Sequence, residues 1–279
     1  MSEPGRSREP SPQAGAALPR LSATLTGPSD APVLVLGNSL GTTSELWRPQ
    51  EEALAGHYRL LRFDHPGHGG SPARPGPYSI AALGQDVLRL LDEFGIPAAS
   101  YCGISLGGMI GIWLAANAPE RIAGLGLCCT SAYLPPAGGW HDRAARVRAG
   151  GTAAVSGLAM GRWFTDAFRA REPDTVARIR ADLEEVNPEG YAGCCEAIAD
   201  MDLRPSLGQV RAPTLVIAGA EDPATPPWHG AAIAAGIPGA RLRVVRGASH
   251  LANVSQPGEV TAVLLTHLAA ATRWRLTGS

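Results

Sequence analysis

The stretch Tyr101-Cys102-Gly103-Ile104-Ser105-Leu106-Gly107-Gly108 carries the pattern Gly-x-Ser-x-Gly between two apolar segments of different kinds. A short run from Ala99 precedes it, as a buried strand would, and Met109 to Ala116 follows with a helical apolar pattern. A serine in so tight a strand-to-helix turn must adopt a strained backbone conformation, with its neighbours two residues either side close to the chain. Gly103 and Gly107 remove the side chains that would collide there. The turn pushes a hydroxyl out of the sheet with the start of a helix behind it. A chain with 34 glycines also produces ordinary Gly/Ser turns of this form, so the serine needs partners before it counts as a nucleophile.

Outward from this turn, strand patterns alternate with helical ones. Leu21 to Thr26 alternates like a half-exposed antiparallel edge strand, while Pro32–Leu36, Arg59–Phe63, Ala99–Ile104 and Ile122–Cys128 suit buried strands. Ser79 to Phe94 has apolar residues at helical spacing. Thr214–Ala218, a short helix over Ala231–Ala235, the strand Arg241–Val245 and a last helix over Gly258–Ala271 complete the series. Such alternation predicts an α/β fold, a mostly parallel sheet flanked by helices on both faces. The segment from Leu134 to Leu207 breaks the rhythm: it holds no strand pattern and carries Trp140, Trp163, Phe164, Phe168 and many arginines. It reads as a helical lid over the carboxyl ends of the strands. The expected organisation is a disordered tail over 1–19, core over 20–133, lid over 134–207, core over 208–272, and a C-terminal tail over 273–279.

Composition narrows the chemistry. With 279 residues, 45% hydrophobic and 18% charged, the chain can bury a full core. A net charge of −1 gives no footprint for nucleic acid or an anionic membrane, and no run is long and apolar enough to span one. All 24 basic residues are arginine, which removes Schiff-base, lysine-base and P-loop lysine chemistry together. The five cysteines fall as Cys102, Cys128-Cys129 and Cys194-Cys195; their spacing fits no zinc site or disulfide framework. Buried thiols of a cytoplasmic protein are expected, and neither a metal nor a cofactor. No signal-peptide pattern opens the chain.

A serine hydroxyl is a weak nucleophile that needs a base, and the base needs an orienting group. On an α/β sheet these follow in the order Ser, acid, His, each at the carboxyl end of a strand. Glu221-Asp222-Pro223 follows the strand at Thr214–Ala218, and His250 follows the strand at Arg241–Val245. Between the two acids, Pro223 favours Asp222 by fixing the turn. Among the other histidines, His57 and His267 fall on helix surfaces or ends, His65 and His68 in a tight loop, and His141 and His229 beside tryptophans as candidate pocket linings. Oxyanion donors are expected from the backbone of Leu106 and of the loop Gly37-Asn38-Ser39-Leu40-Gly41, through Leu40.

These residues resemble the α/β-hydrolase superfamily, and within it the 3-oxoadipate enol-lactonases. The likeness rests on Asn38-Ser39-Leu40-Gly41-Thr42 with Trp47, Phe63-Asp64-His65-Pro66-Gly67-His68-Gly69 with Ser71, the Ser105 turn, and Ile217 to Pro226, with Arg146–Gly151 and Arg162–Thr165 adding to it. Many superfamily members have His-Gly where this chain has Asn38-Ser39. The resemblance implies hydrolysis of an unsaturated five-membered lactone with an acetate arm, giving 3-oxoadipate. It implies an anionic small-molecule substrate, with Asn38, Ser39, Trp140, Arg143, Arg146, Arg162 and Trp163 around it and Arg148 a further candidate. Some relatives carry a fused decarboxylase, which is not expected here. The alternatives left open are a carboxylesterase, a methylesterase, a C–C bond hydrolase, a cofactor-free perhydrolase, or a non-catalytic ligand-binding member of the fold.

Overall fold

The structure, a computed structural model, describes residues 20–277. The tail expected over 1–19 lies outside the described residues. Seven strands, β1 (Ala23–Thr26), β2 (Val33–Gly37), β3 (Arg59–Phe63), β4 (Ala99–Ile104), β5 (Ile122–Cys128), β6 (Thr214–Gly219) and β7 (Arg241–Val245), form one sheet in the order β1-β3-β2-β4-β5-β6-β7. All neighbours run parallel except β1, which pairs antiparallel with β3 at the edge. Central β4 is buried along its whole length, whereas β1 alternates half-buried with exposed residues.

The described helices are α1 (Arg48–Ala55), α2 (Ile80–Glu93), α3 (Leu106–Asn117), α4 (Ala137–Gly150), α5 (Ala153–Trp163), α6 (Asp166–Arg171), α7 (Pro173–Glu184), α8 (Pro188–Ala199), α9 (Pro227–Gly236), α10 (Ala252–Ser255) and α11 (Pro257–Thr277). Strand β5 shows how they sandwich the sheet. A Cβ on Gly111 of α3 would lie 3.3 Å from Leu125, while Cβ atoms on Gly124 and Gly126 would meet Ala271 at 2.7 Å and Leu264 at 3.2 Å, both on α11. Successive residues of the strand face opposite layers, and the two glycines let α11 approach closely.

Local chemistry sets the helix ends. The Ser79 hydroxyl accepts the Ala82 N–H at 3.1 Å and starts α2. Helix α9 begins at Pro227, ahead of the expected Ala231–Ala235, because proline's fixed φ and missing N–H suit a first helical position. Helix α11 continues through Thr277, so residues 273–277 are helix rather than tail; no glycine or proline interrupts the chain between 259 and 277.

Helices α4 to α8 all fall between β5 and β6. The insertion is tied down at α4 and α8: Arg148 of α4 pairs with Glu189 and Glu196 of α8, and Glu189 also accepts the Gly76 N–H. The Asn187 N–H donates to the Gly67 carbonyl at 2.9 Å. Gly190 and Gly67 meet so closely that a Cβ on either would lie 2.6 Å from the other's Cα. Helix α8 thereby rests on the loop that follows β3.

Candidate active site

Ser105 joins β4 to α3 with φ 53° and ψ −114°, a conformation that costs an L-residue strain. Its surroundings hold it there. Its N–H donates to the Cys128 carbonyl at 2.9 Å, and its own carbonyl accepts the Thr130 hydroxyl at 2.6 Å. The flanking glycines are required by close backbone approach. A Cβ on Gly103 would strike the Gly107 carbonyl, and one on Gly107 would lie 2.5 Å from the Gly37 carbonyl carbon. Helix α3 therefore starts hard against the end of β2.

His250, on the loop after β7, reaches both partners: Nε2 lies 2.9 Å from Ser105 Oγ and Nδ1 lies 2.8 Å from Asp222 Oδ2. A carboxylate only accepts, so Nδ1 carries the proton and Nε2 is free to accept from the serine. Asp222 is fixed in turn. Its carboxylate accepts the N–H groups of Ala224 (2.8 Å) and Thr225 (3.0 Å) and the Thr225 hydroxyl (2.8 Å). Burial pushes the Asp222 pKa up, but the neighbouring His250 and the Thr225 hydrogen bonds outweigh it and hold the carboxyl below its ordinary value. Glu221 is exposed.

The turn after β2 brings Ser39 and Leu40 beside Ser105. The N–H of Leu106, at the first position of α3, has no carbonyl within its own helix to bond. Above these groups opens a cavity of about 350 Å³. Its floor is Ser39, Leu40, Ser105, Thr225 and His250. Trp140, Arg143 and Arg146 from α4, Leu158, Arg162 and Trp163 from α5, and Tyr191 from α8 supply the walls. Arg143 stacks over both the Trp140 and Tyr191 rings, at 5.6 and 5.5 Å. Its Nε and the Tyr191 hydroxyl are buried without a hydrogen-bond partner. Arg143, Arg146 and Arg162 form no ion pair among the described residues, so three cations face the cavity or its mouth uncompensated.

Several residues singled out in the sequence stand elsewhere. Asn38 is fully buried and donates from Nδ2 to the Phe63 carbonyl at 2.6 Å; it braces the turn and does not line the cavity. Arg148 is held by Glu189 and Glu196. His141 is half exposed beside Asp200, and His229 is buried against the Ser131 hydroxyl at 2.7 Å, so neither lines the cavity. His267, expected on a helix surface, is buried and donates from Nε2 to the Leu125 carbonyl at 3.1 Å. All five thiols are buried and free. Two participants escaped the sequence reading. Thr225 was visible in principle, since Asp followed by N–H donors two and three residues on is an Asx-type turn. Tyr191 shares one helical face with Cys194, Cys195 and Ile198, a periodicity that marks it as inward-facing.

Residues 32–257 match the family model described as the alpha/beta hydrolase fold. The chain is 42% identical over 231 residues to 3-oxoadipate enol-lactonase 2 of Acinetobacter baylyi, covering 83% of this chain and 86% of that one. Among solved structures it resembles the enol-lactonase from Burkholderia xenovorans LB400, with 40% identity, a TM-score of 0.88, and coverage of 89% of this chain and 96% of the other. A hydrolase from Pseudomonas aeruginosa PA01 is 44% identical with a TM-score of 0.86, over 89% of this chain and 94% of that one. Among the described residues no helix is long and apolar enough to cross a membrane. By sheet order, by the strained serine at the end of β4 and by these likenesses, the chain belongs to the α/β-hydrolase fold family.

Proposed function

We propose that this protein is a serine hydrolase that opens 3-oxoadipate enol-lactone to 3-oxoadipate, with Ser105 as nucleophile, His250 as base and Asp222 as orienting acid. The observation that carries the substrate assignment is the set of three arginines, Arg143, Arg146 and Arg162, that line the cavity containing Ser105 with no ion-pair partner among the described residues. Uncompensated guanidinium groups around so small a space fit a ligand with a carboxylate. Cavities of roughly 300–1,000 Å³ are usual for small-molecule sites. The enol-lactonase names of the relatives agree with this reading.

His250 Nε2 takes the proton as Ser105 Oγ bonds to the lactone carbonyl carbon. Charge gathers on the carbonyl oxygen, where the N–H groups of Leu106 and Leu40 receive it. Collapse breaks the ring bond between the acyl carbon and the enol oxygen. The enolate oxygen takes the proton held by His250 as it leaves, and the enol tautomerises to the ketone, while the acyl group stays on Ser105. Water then attacks the acyl carbon and gives its proton to His250, which passes it to Ser105 Oγ as the acyl–Oγ bond breaks, releasing 3-oxoadipate with the serine restored. Helices α4 to α8 act as the lid that selects the substrate, with Trp140 and Trp163 against the ring and Arg143, Arg146 and Arg162 attracting its carboxylate. The buried thiols agree with a cytoplasmic setting.

Turnover of enzymatically generated enol-lactone, measured beside a neutral aryl ester, tests the assignment. The lactone is expected to show the higher kcat/KM. Hydrolysis of the ester alone would remove the lactonase assignment and leave the serine-hydrolase reading standing.

A further inference from the structure

We propose that His65 and His68 are positioning residues for the oxyanion turn, gripping its two ends in opposite neutral tautomers. The inference rests on the acyl-transfer reading above. The turn Asn38–Gly41 follows β2, and the loop Asp64–Ser71 lies beside it after β3. His65 Nε2 lies 2.9 Å from the Asn38 carbonyl oxygen. A carbonyl can only accept, so His65 carries its proton on Nε2. At the other end, the Gly41 N–H donates to His68 Nε2 at 3.0 Å, and His68 Nδ1 lies 3.1 Å from the Pro66 carbonyl. Those partners leave His68 one neutral form, with the proton on Nδ1 and Nε2 bare. One loop thus holds the first residue of the turn with a donor and the last with an acceptor.

The Asn38 carbonyl is also where the two halves of the oxyanion site meet, because it accepts the Gly107 N–H at 2.9 Å. Leu106 and the Leu40 turn are therefore referenced to a single oxygen that His65 secures. Gly41 needs its grip. Its φ is +81°, and a Cβ there would lie 2.5 Å from Leu183 and 3.0 Å from Tyr191, both from the helical insertion. Without the His68 acceptor, the Gly41 amide would be buried with no partner. The loop is itself rigid. Asp64 accepts the Ser44 N–H at 2.7 Å and the Gly70 N–H at 3.0 Å, and the His65 and His68 rings meet edge to face at 5.9 Å. His68 stacks on Tyr191 at 6.4 Å.

Oxyanion donors act only when aimed at the charge that develops in the transition state, so a slackened turn lowers kcat and spares ground-state binding. Leu replaces each ring without its hydrogen bond. Gln restores it, offering an amide donor at position 65 and a carbonyl acceptor at position 68. With a neutral aryl ester, H65L and H68L are expected to lose about 10–100-fold in kcat with KM changed less than about threefold. The Ki of an aryl trifluoromethyl ketone, which forms a tetrahedral oxyanion on the serine, should rise by the same factor. H65Q and H68Q should stay within about fivefold of wild type in both measures. Folded Leu variants with wild-type kcat, or with lost kcat and unchanged ketone affinity, would overturn the proposal while an active wild type kept the hydrolase reading. A wild type inert to both ester and lactone would sink both. Should the Leu variants not fold, the imidazole ¹⁵N spectrum of the wild type decides: Nε2 must be protonated in His65 and bare in His68, and the reverse in either overturns the assignment.

Discussion

Acid should weaken this protein, and one substitution should remove a defined share of the loss. His68 is completely buried, and burial is the main force lowering its pKa; the repulsion it would meet from a protonated His65 adds to it and the Pro66 carbonyl opposes only in part, leaving the ring pushed down to about 3. In the unfolded chain the same ring titrates near about 6.5. Between these values the unfolded state binds a proton that the folded state refuses. The stability that depends on a neutral His68 is therefore complete above about pH 6.5 and is lost progressively as the pH falls toward 3. From about pH 7.5 to about pH 5 the loss is about 2 kcal/mol, close to a thirtyfold shift in the unfolding constant. Urea unfolding followed by tryptophan fluorescence, at both pH values, on wild type and H68Q, measures it. Glutamine does not titrate, yet its carbonyl can still accept the Gly41 amide. Burial lowers His65, His229 and His267 as well, but they are present in both proteins and cancel to first order in the difference. If acid weakens H68Q as much as wild type, the assignment of a bare, buried Nε2 is wrong.

The remaining predictions concern the chemistry and its scaffold. Ser105→Ala or His250→Ala should lower kcat by about 10⁴–10⁶-fold, and a loss under tenfold would remove the residue from the mechanism. Asp222→Asn should cost about 10⁴-fold in kcat at unchanged thermal stability, because the amide can favour the wrong His250 tautomer; a small effect on initial rates would show that the acid only packs. Gly107→Ala, whose Cβ would press on the Gly37 backbone, should destabilise the protein by about 1–3 kcal/mol, and calorimetry showing an unchanged Tm would contradict the close approach. Arg143→Gln should reduce kcat/KM for the lactone by about 10–150-fold while changing a neutral aryl ester less than threefold; equal losses on both would relocate the carboxylate site.

The sheet was legible because its signals are local. Pro32–Leu36 is an uninterrupted apolar run, Ala99–Ile104 is interrupted only by small Ser100 and Gly103, and Arg59–Phe63 buries Leu60, Leu61 and Phe63 beside two half-buried arginines; parallel strands covered on both faces favour such patterns. The order of Ser105, Asp222 and His250 was equally plain, since each follows a strand pattern. What lay outside local patterning was harder to read. Nothing around Asn38 says that its side chain turns back to Phe63 rather than toward a ligand; that depends on how β2 and β3 pair. Arg148 and Arg143 have the same type and the same helix, and only the position of α8 gives one a pair of glutamates and leaves the other bare over Tyr191. His65 and His68 looked like rivals for the role of base. Their partners are backbone atoms of a loop about 27 residues away in sequence, a contact that spacing does not encode.

The helical segment between β5 and β6 has a consequence for how such a protein changes over time. Most of the cavity walls, from Leu134 to Ile198, come from one unbroken length of chain, with only Pro223 and Ala224 added from the loop after β6, whereas Ser105, Asp222 and His250 are contributed by three separate strand ends. Genetic exchange of a single continuous stretch would therefore deliver a whole new set of walls in one event. The strained serine would not be disturbed, because none of the glycines that make room for it belongs to that stretch; an exchanged stretch must keep the backbone carbonyls of Arg162 and Trp163, which hold Ser249 and Leu251 on either side of His250. Recombination within one reading-frame interval, rather than scattered point changes, is the shortest route from one acyl substrate to another.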